Sequence, residues 1–148
     1  MNSAKAYLQE IWHLDTLIAA KISQRKTLWE LATSVGGGFG DGSSHSGGSN
    51  DRMGKIMAKY VDLDREIADT MEKLYTRQNE AIAIFARIDE RTYVKLLTKR
   101  YIEYKSWQEI ADDMGYNSVR GIVKAHGKAL QAFEKVLNNA ENSAASGQ

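Results

Sequence analysis

Apolar residues recur along this chain at helical spacing almost from end to end. Over residues 3–34, Leu8, Ile11, Leu14, Ile18, Ile22 and Leu28 return at intervals close to three and four, with Gln9, Lys21, Gln24 and Arg25 on the opposite side. A one-sided stripe of this kind predicts a long amphipathic helix that packs on a partner, and Asn2 or Ser3 can cap its start. A second stripe over residues 51–88 runs Ile56, Tyr60, Leu63, Ile67, Leu74, Phe85 and Ile88, with Lys59, Asp64, Arg65, Glu66 and Lys73 between. Its period is close to that of a coiled coil. Residues 36–50, GGGFGDGSSHSGGSN, separate the two and read as a disordered Gly/Ser linker. A phosphate-loop reading of these glycines fails, because neither flank reads as a strand. Two long helices joined in this way are expected to fold back as an antiparallel hairpin. Each stripe needs the other helix, the C-terminal domain or a second chain to cover it, so the hairpin predicts homo-oligomerisation.

The pattern changes after residue 89. A helix is expected from about Glu90 to Glu103, bearing Tyr93, Leu96, Leu97, Arg100 and Tyr101, with a break at Tyr104-Lys105. Ser106 and Glu109 then have the spacing of a capping box, in which the serine caps a new helix and the glutamate reaches back. That helix ends at Met114, with Gly115 placed for a left-handed stop. Asn117 and Ser118 can cap a last helix from Val119 to about Leu137, whose inner stripe is Ile122, Ala125, Ala129, Leu130, Phe133 and Val136. The expected fold is all-α. A first arm helix occupies 1–35, the linker 36–50, a second arm helix 51–89, a helix-turn-helix domain 90–137, and a polar, frayed tail 138–148.

Composition narrows the chemistry. The 148 residues include no cysteine and no proline, which excludes disulfides, thiolate catalysis and cysteine zinc sites and leaves long helices unbroken. No apolar run approaches the roughly 18 residues of a membrane span, and the start lacks a signal-peptide pattern, so a cytoplasmic protein without membrane contact is expected. Net charge is +1, but residues 91–137 hold nine Lys/Arg against five Asp/Glu. Arg120, Lys124 and Lys128 fall four apart on the outer side of the last helix, and no acidic residue occurs between Asp113 and Glu134. A basic row without acids suits a phosphate backbone, and the major groove of double-stranded DNA admits a helix.

At these residues the chain resembles known proteins. The stretch LLTKRYIEYKSWQEIADDMGY, with Lys128-Ala129-Leu130 beyond it, resembles region four of bacterial sigma factors. The wider layout is similar to that of small phage and prophage sigma-like helix-turn-helix proteins of the ArpU and RinA late-regulator type. This covers Leu31-Ala32-Thr33, the linker, VDLDREI, the KRY and W-x-EIA-x-x-MGY pieces, and HGKAL. The resemblance implies a transcriptional regulator in a bacterial host, with RNA polymerase as a second partner. It implies that Val119, Arg120, Val123 and Lys124 face the major groove and that Ser118 and Lys128 contact phosphate, with Arg100 and Lys105 as weaker phosphate contacts. It gives no residue a catalytic role. The turn before Val119 has one residue more than the family pattern, which shifts the recognition helix by up to one residue.

The remaining candidates read as structural. Trp12, Trp29 and Trp107 are expected in the core, and His126 is expected to make a structural hydrogen bond. His13, His45 and His126 have no ligand spacing, so no metal or other cofactor is expected. Asp62/Asp64 and Asp112/Asp113 point apart on exposed helices, and no nucleophile has a base beside it, so the chain does not read as an enzyme. Two rival functions remain open: recognition of a packaging site by a small-terminase-like oligomer, and a helical module that binds protein instead of DNA.

Overall fold

The computed structural model describes residues 3–37 and 46–147. Five helices occupy them: α1 (Ser3–Gly37), α2 (Ser46–Phe85), α3 (Arg91–Tyr101), α4 (Trp107–Asp113) and α5 (Val119–Ser146). There is no strand among the described residues, so the fold is all-α as expected. Two boundaries differ from the sequence reading. Helix takes up part of the Gly/Ser segment, because α1 runs through Gly37 and α2 begins at Ser46; the rest of that segment lies outside the described residues. The tail is helical to Ser146, since Ala140, Glu141, Ala144 and Ala145 favour helix and no glycine interrupts them before Gly147.

The chain divides into two compact units. One, Leu14–Lys73, is a two-helix hairpin. Lys21 pairs with Glu66 at 3.1 Å, Arg25 pairs with Asp64, and the Trp29 ring lies 5.7 Å from that of Tyr60. Partner numbers fall as those of α1 rise, so the helices are antiparallel. Leu14, Ile18 and Ala32 are buried from one helix, and Ile56, Leu63 and Ile67 from the other. The buried Thr70 hydroxyl donates back to the Glu66 carbonyl at 2.8 Å, so it brings no unsatisfied polar group inside. Trp29, expected in the core, is instead 50% exposed, and Ile22 is 39% exposed. Ile22 continues the four-residue spacing of Leu14 and Ile18, so the predicted stripe of α1 is buried only in part, and Trp29 lies about two turns beyond it.

The other unit, Met1–His13 with Leu74–Gln148, is larger than the expected domain of residues 90–137. It contains two cores. The smaller closes the helix-turn-helix: Leu96 of α3, Ile110 and Ala111 of α4 and Ile122 of α5 are all fully buried. The larger joins Ala4, Leu8 and Ile11 of α1, Ala81 and Phe85 of α2, Leu97 and Tyr101 of α3, and Ala129 and Phe133 of α5. Adjacent residues Leu96 and Leu97 thus serve different cores, because neighbours on a helix point about 100° apart. The Phe133 ring contacts Tyr7 and Phe85 at centroid distances of 5.4 and 5.9 Å. The beginning of α1 and the end of α2 therefore cover a face that α3 and α5 would otherwise expose.

Candidate nucleic-acid interface

The turn before α5 is fixed by local rules. Ser106 Oγ accepts from the Glu109 amide at 3.2 Å, and Glu109 Oε1 accepts from the Ser106 amide at 3.4 Å, completing the capping box at the start of α4. At its end Gly115 takes φ +74°, a conformation open to glycine without a Cβ clash. The amides of Gly115 and Tyr116 then donate to the carbonyls of Asp112 and Ala111 at 3.3 and 2.8 Å. These paired bonds satisfy the last carbonyls of α4. Tyr116 packs on the small core, and its ring occupies the space beside Gly121: a Cβ there would lie 3.3 Å from Tyr116 Cδ2. Gly121 thus leaves room for the Tyr116 ring of the turn. Ser118 caps α5, its Oγ accepting from the Gly121 amide at 3.2 Å. The hydroxyl proton remains available as a donor.

From this start α5 presents its outer face. Ser118, Arg120, Val123, Lys124 and Lys128 are exposed, and Val119 is half-buried. Arg120, Lys124 and Lys128 make no ion pair among the described residues, whereas Lys99 and Lys105 of the same unit are both paired with Asp113. Lys135, exposed two turns beyond Lys128, extends the same row. Glu134 accepts a hydrogen bond from Ser3 Oγ.

The two remaining candidates lie off this row and are held internally. The Arg100 guanidinium sits between two indoles, 4.4 Å from the Trp12 ring and 4.0 Å from the Trp107 ring, and donates to the Lys105 carbonyl at 3.0 Å. The backbone carbonyl of Arg100 accepts from Trp12 Nε1 at 2.8 Å. Lys105 Nζ lies 2.7 Å from Asp113 and 3.5 Å from Glu103. Their bond holds the Lys105 ammonium above its ordinary pKa and the Asp113 carboxyl below its own. Both cations therefore already have work within the fold.

His126 is buried on the inner side of α5. Its Nε2 lies 2.8 Å from Tyr101 Oη, and its ring meets Trp107 edge to face at 4.6 Å. Burial, aided by the charges of Arg100 and Lys5, lowers its pKa to about 4. Burial pushes the Tyr101 hydroxyl up to about 12. The pair is thus neutral near pH 7, with the tyrosine donating to an unprotonated imidazole. Among the described residues no group of three or more His, Asp or Glu could hold a metal ion, and no helix is long and apolar enough to cross a membrane. No family model, no curated protein and no solved structure matches the chain.

The buried histidine makes stability depend on pH. Unfolded, its imidazole takes a proton near pH 6.5; folded, it stays neutral to about pH 4. The unfolded state binds the extra proton between these values, so this contribution is complete above about pH 6.5 and is lost progressively as pH falls toward 4. In a His126→Gln variant, whose amide oxygen can still accept from Tyr101, the slope of unfolding free energy against pH in this window should be shallower by up to about 1.4 kcal/mol per pH unit. Denaturant titrations at several pH values measure it, and parallel slopes for the two proteins would show that His126 protonates freely in the fold.

Proposed function

We propose that this chain is a DNA-binding transcriptional regulator that lays the first half of α5 in the major groove of double-stranded DNA. One observation carries the reading. Arg120, Lys124 and Lys128 form an exposed cationic row without ion pairs among the described residues, on a helix whose start is set by a capped, glycine-closed turn and whose inner side buries Ile122, His126, Ala129 and Phe133. A rigid helix with unneutralised cations on its outer face suits phosphate contact, and its first turns suit base contact. Arg120 and Lys124 are assigned to base edges or phosphates, Val119 and Val123 to apolar contact in the groove, and Ser118 and Lys128 to phosphates. The transcriptional role, the phage or prophage origin, the bacterial cytoplasm and an RNA polymerase contact rest on the sigma-region-four resemblance.

We place self-association on the hairpin, where Trp29, Ile22 and Val61 leave apolar surface open to solvent. Light scattering across a concentration series should give a mass above one chain, and a Trp29→Glu variant should lower it. A monomeric mass for the wild type at every concentration would remove this part of the reading.

DNA binding is tested by fluorescence anisotropy on a random-sequence duplex across a salt series. The logarithm of the affinity should fall linearly with the logarithm of salt concentration. Arg120→Ala/Lys124→Ala should reduce the slope by about 2 and weaken binding on the order of tenfold or more. Absence of binding at low salt, or an unchanged double mutant, would sink the assignment and favour a helical module that contacts protein.

A further inference from the structure

Beside the exposed row, the unit contains a cleft that sequence spacing alone does not reveal. It is lined by Lys5, Gln9 and Trp12 of α1, by Arg100 of α3, whose guanidinium lies over the Trp12 and Trp107 rings, and by Val123 of α5. Lys5 and Gln9 lie one turn apart, both exposed, on the flank of α1 that leads to Trp12. The cleft holds two cations, Lys5 and Arg100, and among the described residues its lining includes no carboxylate. Lys5 has no ion pair among the described residues. The cleft is also continuous with the proposed DNA face, because Val123 belongs to both.

We infer that the start of α1 is a second limb of the DNA interface, in which Lys5 and Gln9 hold a phosphodiester group of the strand passing the Val123 edge of α5. This rests on the DNA-binding reading of α5 and extends it to a helix more than a hundred residues away in sequence. The chemistry fits a backbone phosphate. An ammonium and a carboxamide on successive turns supply donors without base specificity, and Arg100 adds positive potential behind them. Arg100 itself is a positioning residue, since its guanidinium packs on the Trp12 and Trp107 indoles that line the cleft. Gln9, read from the sequence as part of the polar side of the arm helix, is thereby assigned with Lys5 to the nucleic acid.

The experiment is the salt series on a random duplex, with Lys5→Ala, Lys5→Glu and Lys5→Arg beside the wild type and the α5 double mutant. Lys5→Ala should lower the salt slope by about 1 and weaken binding about threefold to tenfold, Lys5→Glu should weaken it further, and Lys5→Arg should restore it. A control, Lys95→Ala on the exposed side of α3, should leave the affinity unchanged. If the wild type binds, the α5 double mutant binds more weakly with a shallower salt slope, and all three Lys5 variants match the wild type, the α1 limb is overturned while the α5 assignment stands. If the wild type shows no salt-dependent binding, both are overturned.

Discussion

A single guanidinium ties three helices of the larger unit together. Arg100 leaves α3, passes between the indoles of Trp12 and Trp107, and donates to the Lys105 carbonyl at the break before α4. Trp12 returns a hydrogen bond to the Arg100 carbonyl. Each cation–π contact is worth about 0.5–2 kcal/mol, less than the burial of one large apolar side chain. Its importance lies in position. The apolar cores bring the helices together without direction, whereas a planar cation between two rings fixes where α1 and α4 lie relative to α3. Trp107 in turn meets His126 on α5. The line from Trp12 to His126 therefore links α1 to the helix proposed to read DNA.

The two cores explain why the helix-turn-helix is not a separate domain. Leu96, Ile110, Ala111 and Ile122 close the small one and set the pitch of α5 against α4. Phe133, Ala129, Leu97 and Tyr101 would present an apolar face if α3, α4 and α5 stood alone. Ala4, Leu8 and Ile11 from one end of the chain, with Ala81 and Phe85 from its middle, cover that face. A core of about four residues is too small to hold three helices together without such a cover. This arrangement also places Lys5 and Gln9 beside α5, which gives the arm a proposed role in the same surface that it helps to build.

How much of this was legible in the sequence follows the range of the interactions. The Ser106–Glu109 box, the Gly115 stop and the Ser118 cap depend on residues a few positions apart, and each occurs where its spacing indicated. The helical stripes gave the five helices and the antiparallel hairpin. His126 was expected to make a structural hydrogen bond, but its partner Tyr101, 25 residues away, has no spacing signal. The family resemblance implied a weaker phosphate contact for Arg100, and nothing local announces that Trp12, 88 residues earlier, stacks on it. The space that Tyr116 takes beside Gly121 also carries no spacing signal that could be read in advance. Trp29 was assigned to the core by residue type, but its register on α1 leaves it half exposed.

The central claim is that one continuous surface, made by the outer face of α5 and the start of α1, meets duplex DNA. Titrating the isotope-labelled protein with a short duplex and following its amide resonances tests this directly. Perturbations should concentrate at Ser118–Lys128 and at Lys5–Gln9, leaving Lys59–Lys73 of the hairpin unchanged. Perturbations confined to the hairpin, or none at any DNA ratio in low salt, would contradict the account.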